Sequence, residues 1–136
     1  MVLVDTSIWV DYFHHPVSSQ ADRLESLIRE HNRAVVCGII LQEVLQGIRE
    51  NKSHTATKER LTKLPYLDMS KEIHLAATSL YRSLRAKGIT VPSADTSIAA
   101  LAIFNNIPLY TMDGHFNSIA NHTRLELYSP LTTGRE

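Results

Sequence analysis

Short apolar segments alternating with amphipathic stretches predict an α/β fold built on a central, mostly parallel sheet. Three observations carry that expectation. The segments VLV (2–4), RAVVCG (33–38) and IPLYTM (107–112) are apolar but too short for helices. The stretches between them repeat apolar residues at the three-to-four spacing of a helix face. Acidic residues follow the first and the third of these strands directly, where an open parallel sheet keeps its ligands.

Taken in order, Val2, Leu3 and Val4 form the first strand and end at Asp5. Thr6 or Ser7 is then expected to cap a helix carrying Ile8, Trp9, Tyr12 and Phe13, stopped near Pro16. SSQADRLESLIREH (18–31) sets Leu24, Leu27 and Ile28 on one helical face, and RAVVCG follows as the second strand. IILQEVLQGIRE (39–50) reads as a helix with a stripe at Ile40, Leu41, Val44, Leu45 and Ile48, and Glu43 lies at the stripe's edge. Gly47, mid-helix on this reading at a cost of about 1 kcal/mol, suggests a close approach by another group.

SHTATKERLTKL (53–64) is a polar helix before Pro65, and PYLDM (65–69) holds a brief strand. Ser70 caps a helix presenting Ile73, Ala76, Ala77, Leu80 and Leu84, closed by Gly88. A helix over 94–105 ends at Asn105 and Asn106; IPLYTM is a strand, FNSIANH (116–122) a short helix and LELY (125–128) a last strand.

The bulk composition bounds the function. With 136 residues, 43% of them hydrophobic, one domain spanning 1–136 is expected. Lys plus Arg and Asp plus Glu number 14 each, so no general basic field advertises a polyanion partner and any such site must be local. The lone Cys37 excludes an internal disulfide and a zinc scaffold and fits a reducing compartment. No apolar run approaches the roughly 18 residues of a membrane span, so a soluble, unprocessed, cytoplasmic protein is expected.

Asp5 and Asp113 stand at the carboxyl ends of two strands, and the helices carrying Glu43 and Asp95 begin at the same rim. Taken singly, each acid has a plain structural reading: Asp5 and Asp95 as helix caps or first-turn acids, Asp113-Gly114 as a turn, Glu43 as a helix-edge acid. Gathered at one rim, four carboxylates would repel and raise one another's pKa unless a cation neutralised them. An all-oxygen donor set suits Mg²⁺ or Mn²⁺, which can activate water and stabilise charge on a phosphodiester.

VDTSIWVDYF, LQEVLQG around Glu43, ADTSIAALA around Asp95 and YTMDGHF around Asp113 together give the chain its resemblance to the PIN-domain family, most closely to the VapC toxins of toxin-antitoxin pairs. These segments extend from residue 4 to residue 116. The resemblance implies an α/β/α sandwich, an acidic Mg²⁺ or Mn²⁺ site and a metal-dependent endoribonuclease acting on RNA. It further implies a homodimer and a small cognate VapB-like antitoxin that blocks the cleft. Carried onto this chain, it makes Asp5, Glu43, Asp95 and Asp113 the metal-binding and catalytic acids. Thr6, Ser7 and Thr111 become supporting hydroxyls. Many relatives carry another acid two residues after the fourth, where this chain has His115, a residue that can contact phosphate, shuttle a proton or simply sit on the surface.

Local cations for RNA are Arg49, Lys52, Lys58, Arg60 and Lys63, then Arg82, Arg85 and Lys87; solvated helix faces are the plainer account of both groups. The Trp9, Tyr12 and Phe13 cluster is better suited to a core, dimer or antitoxin contact than to base stacking. A haloacid-dehalogenase-type phosphatase needs an Asp where Ser7 stands, and a receiver domain needs a neighbouring acidic pair absent here. An inactive PIN-like protein-binding module, or a housekeeping PIN nuclease without an antitoxin, are the remaining alternatives; all four acids being present favours an enzyme.

Overall fold

The computed structural model describes residues 1–30 and 32–129; His31 at the end of the expected second helix and residues 130–136 lie outside them. Four strands form one all-parallel sheet: β1 (Val2–Val4), β2 (Ala34–Cys37), β3 (Tyr66–Leu67) and β4 (Leu109–Tyr110), in the order β3-β2-β1-β4. Every residue of β1 and β2 is buried. Since successive side chains point to opposite faces, both faces of the sheet must be covered.

Among the described residues seven helices provide the cover: α1 (Thr6–His14), α2 (Ser19–Arg29), α3 (Gly38–Gln46), α4 (Asn51–Thr62), α5 (Lys71–Ala86), α6 (Ser93–Phe104) and α7 (His115–Asn121). α1 packs on α2 and α3, whereas α5 packs on α6 and α6 on α7. The α/β/α architecture is therefore the one the sequence predicts, with a sheet that is parallel throughout the described residues.

The core joins the strands to the inner faces of these helices: Ile8 and Trp9 from α1, Leu24 and Leu27 from α2, Ile40 and Val44 from α3, Ile73, Ala77 and Leu84 from α5. α6 is enclosed along its middle, where Ile98, Ala99, Ala100, Leu101 and Ala102 are all buried. A helix so enclosed has little freedom to shift, which fixes the position of its first turn.

Helix ends follow the expected chemistry in two places. Ser70 accepts from the Ile73 N–H, and α5 closes with Gly88 N–H bonding Arg85 O and Ile89 N–H bonding Leu84 O. Gly88 has φ +80°, a conformation costly for a residue with a Cβ. α6 closes in the same way, with Asn106 at φ 54°, its N–H on Ile103 O and Ile107 N–H on Ala102 O.

Other expectations are corrected. α1 is capped by Asp5, not by Thr6 or Ser7: its side chain accepts from the Ser7 N–H, and Thr6 is the first helical residue. α3 stops at Gln46, so Gly47 is its C-cap at φ −81°, and Ile48 lies beyond the helix. A Cβ on Gly47 would meet nothing nearer than 3.5 Å, so no close approach explains the glycine. Ala76 on α5 is exposed.

The strand expected over 107–112 contracts to Leu109–Tyr110 because the next groups have other partners: the Met112 N–H donates to Ser7 Oγ and the Thr111 hydroxyl to Asp5. The last strand, expected over 125–128, reduces to one parallel bridge between Leu127 and Leu109.

Candidate metal centre

In the order β3-β2-β1-β4, the chain builds outward from β1 to β3 and then returns to β1's other edge with β4. The switch point lies between β1 and β4, the place where an open α/β sheet leaves a crevice beyond its strand ends. Asp5 follows β1 directly, and Thr111 follows β4.

These two residues are locked together. The Thr111 hydroxyl donates to Asp5 Oδ2 at 2.8 Å, and the Ser7 hydroxyl reaches the same oxygen at 2.9 Å. The Ser7 N–H adds a longer contact at 3.4 Å, and Ser7 Oγ in turn accepts the Met112 N–H at 2.9 Å. Asp5 is only 5% exposed, and this set of donors is what lets a carboxylate sit there.

Thr111 also carries the register onward, because its Oγ1 accepts the Asp113 N–H at 3.0 Å. Asp113 folds back on its own turn, Oδ1 accepting the His115 N–H at 2.9 Å. The His115 ring then spans two acids: Nδ1 lies 3.0 Å from Asp95 Oδ2 and 3.3 Å from Asp113 Oδ1. Asp95 arrives from the first turn of α6.

Asp95, Asp113 and His115 offer three donor atoms that all lie within 4.8 Å of one another. Oxygen from two carboxylates with one imidazole nitrogen is a donor set that fits a divalent cation. The charge environment agrees. Burial pushes the Asp95 carboxyl up to about 6, with the Asp113 carboxylate adding to the rise, hydrogen bonding and charge from His115 opposing it, and Asp5 contributing a further small rise. Such a group is held in a field short of positive charge.

Glu43 joins from α3 through the Thr6 hydroxyl, which donates to its Oε1 at 2.6 Å. All four predicted acids thus belong to one connected rim, but not equally. Asp95 and Asp113 form the compact centre, whereas Asp5 and Glu43 stand outside it, bound to hydroxyls of the same rim. Thr6, Ser7 and Thr111 each donate a hydroxyl to one of these acids.

His115 belongs to the compact centre, a place the sequence reading gave only to acids. The signal was its spacing: a residue two positions after Asp113 in an Asp-Gly turn is turned back toward that carboxylate. Cys37 is buried, and burial pushes its thiol above the usual range, which keeps it out of the chemistry.

The candidate RNA cations are exposed, with two diverted: Arg85 donates to the Tyr81 hydroxyl one turn earlier on α5 at 3.4 Å, and Arg60 crosses to another helix. Arg60 donates to the Tyr12 hydroxyl at 2.7 Å and lies 5.2 Å from the centre of its ring, tying α4 to α1. Trp9 is 2% exposed, stacked on Phe13 at 6.2 Å and edge-on to Tyr12, so its ring is core.

A doubly wound sheet with two carboxylates and an imidazole gathered at its switch point defines an α/β protein whose donor atoms there could hold a divalent cation. Comparison with known proteins narrows the class. The sequence profile of the PIN domain matches residues 2–122. Ribonuclease VapC11 of Mycobacterium tuberculosis is 36% identical over 132 residues, covering 95% of this chain and 98% of the relative. Ribonuclease VapC1 of Methanocaldococcus jannaschii is 33% identical over 121 residues, 87% of this chain and 80% of the relative. Among solved structures, VapBC2 from Rickettsia felis, bound to a DNA fragment from their promoter, superposes with a TM-score of 0.77 at 25% identity over 94% of this chain and 98% of that one. The chain belongs to the PIN-domain family and, within it, to the VapC ribonucleases.

Proposed function

We propose that this protein is a metal-dependent endoribonuclease, the toxin of a VapBC-type toxin-antitoxin pair, acting through Asp5, Glu43, Asp95 and Asp113 as a single domain. The observation that carries the reading is the convergence of Asp95, Asp113 and His115 within 4.8 Å at the rim of a chain 36% identical to a named ribonuclease. Asp95 and Asp113 would hold Mg²⁺ or Mn²⁺, with Asp5 and Glu43 completing the acidic rim. A bound divalent cation supplies an activated water and stabilises negative charge on the phosphodiester.

The chain's own residues prepare that centre. Thr111 holds Asp5 through its hydroxyl and Asp113 through the backbone, so the two strand ends cannot drift apart independently. Thr6 fixes one oxygen of Glu43 at the same rim. For RNA, the exposed Arg49, Lys52, Lys58 and Lys63, together with Arg82, Arg85 and Lys87, offer local cations on a chain whose net charge is zero.

The partners on this reading are RNA, a second copy of the chain and a small VapB-like antitoxin, in the cytoplasm. The antitoxin is supported by the superposition on VapBC2 of Rickettsia felis. No helix among the described residues is long and apolar enough to cross a membrane.

The test is cleavage of RNA by the purified full chain. It should require Mg²⁺ or Mn²⁺, stop on adding chelator, and fall at least about a hundredfold in Asp95→Asn with an unchanged circular dichroism spectrum. Cleavage that survives chelation, or an active Asp95→Asn protein, overturns the assignment. Expression that cuts RNA without slowing growth would instead identify a housekeeping nuclease.

A further inference from the structure

The imidazole of His115 occupies an unusual position for a surface histidine. Its side chain is 51% exposed, yet Nδ1 is turned inward between carboxylates from two separate elements. Asp95 arrives on α6, and Asp113 lies in the loop after β4. The orientation is built locally: the His115 N–H closes a turn onto Asp113 Oδ1, so ring and carboxylate leave the backbone on the same side.

The spacing matches coordination. Around an octahedral divalent ion with ligands at about 2.1 Å, adjacent donor atoms lie about 3.0 Å apart. Nδ1 stands 3.0 Å from Asp95 Oδ2 and 3.3 Å from Asp113 Oδ1. Nδ1 thus stands from each of the two carboxylate oxygens near the separation that adjacent ligands of one ion keep, and all three donor atoms lie within 4.8 Å of one another. An ion about 2.1 Å from both Nδ1 and Asp95 Oδ2 would sit about 1.5 Å off the line on which a shared hydrogen lies, so rotation of the exposed imidazole would bring its lone pair onto the ion.

We propose that His115 is a direct ligand, through Nδ1, of the divalent ion held by Asp95 and Asp113, and that it tilts this centre toward Mn²⁺ over Mg²⁺. The inference rests on the metal-centre reading above and adds a residue and a selectivity to it. Imidazole nitrogen adds affinity for transition ions, whereas Mg²⁺ gains little from leaving oxygen donors. A carboxylate in the same place would make an all-oxygen site with no such preference.

The experiment loads the full chain with Mn²⁺ alone and reads it by electron paramagnetic resonance, with Mg²⁺ as competitor. Electron spin-echo modulation from a directly bound ¹⁴N is expected in the unmodified protein and absent in His115→Ala. In that variant Mn²⁺ affinity should fall roughly tenfold and Mg²⁺ affinity much less. His115→Asp should restore binding but reduce the Mn²⁺ preference. Because His115 is exposed, its replacement leaves the core intact, and circular dichroism checks this. Absence of nitrogen modulation in the unmodified protein, or a His115→Ala protein that keeps the Mn²⁺ preference, overturns the inference. Asp95→Asn separates the two readings: if it binds Mn²⁺ as tightly as the unmodified chain, the metal centre itself is wrongly placed; if it loses Mn²⁺ while nitrogen modulation is lacking, only the role of His115 fails.

Discussion

The letters DTSI occur at 5–8 and again at 95–98, and the two copies end in different chemistry. In the first, Asp5 is the N-cap of α1, extended at φ −72° and ψ 158° and 5% exposed, its Oδ2 met by the hydroxyls of Ser7 and Thr111. In the second, Asp95 lies inside the first turn of α6, capped by Pro92, and burial and neighbouring acids lift its carboxyl to about 6. The threonines diverge too: Thr6 bonds Glu43 across 37 residues, whereas Thr96 bonds the Ser93 carbonyl of its own turn. A shift of a few positions relative to a helix start therefore separates a carboxylate met by two hydroxyls from one that burial and neighbouring acids leave short of positive charge.

The sharpest way to break this contrast is to remove each acid. Asp5→Ala deletes a cap and the acceptor shared by the Ser7 and Thr111 hydroxyls, so a loss of about 3 kcal/mol and a fall of roughly 10 °C in Tm are expected. Asp95→Asn should leave Tm unchanged or raised in metal-free protein at pH 7.5. A thermal scan in which the two variants fall equally would erase the distinction.

Next in size is the pH dependence of metal-free stability. Because the folded state raises the Asp95 pKa above its ordinary value of 3.8, its contribution is full below about pH 4 and is lost as pH rises through about 6. After allowance for solvent screening this amounts to about 1–2 kcal/mol between pH 4 and 7. Urea unfolding in chelator should show it as the difference between the unmodified chain and Asp95→Asn. The same proton competes with a cation, so Mn²⁺ affinity should weaken as pH drops below about 6.

The serines should differ by about 1 kcal/mol. Ser7 Oγ serves Asp5 and the Met112 N–H at once, so Ser7→Ala should cost about 1–2 kcal/mol, against less than about 0.5 for the half-buried Ser97→Ala. Equal denaturation midpoints would show that the brace at Asp5 does not depend on Ser7. The threonines come last because their contrast is read in activity. Thr6→Val should lower RNA cleavage roughly tenfold by freeing Glu43, while Thr96→Val should cost no more than about 1 kcal/mol and leave cleavage as it was. Equal cleavage in both would remove Glu43 from the working site.

Much of this was legible in the sequence because it depends on local pattern. The runs VLV and AVVC could only be strands buried on both faces, and Ser70 and Gly88 marked the ends of α5 by the hydrogen-bonding and φ preferences of serine and glycine. The four acids could be assigned to one rim because parallel strands joined by crossover helices return their carboxyl ends to the same side. Less legible were features set by competition between partners. β4 ends at Tyr110 because Met112 N–H is drawn to Ser7, a residue 105 positions away. Gly47 looked like a site of close approach only because α3 was expected to continue past it.

The sequence by itself determined the alternation of strands and helices, the family and the four acids, since periodicity and motif order need no knowledge of distant contacts. Only the tertiary structure decided which partners each of those acids meets. Whether a carboxylate is satisfied or left short of donors depends on what the fold brings to it: Thr111 reaches Asp5 across the β1–β4 switch point, and His115 reaches Asp95 from the start of α7 to the start of α6. That is why two identical tetrapeptides end differently, with Asp5 met by two hydroxyls and Asp95 beside Asp113 and His115.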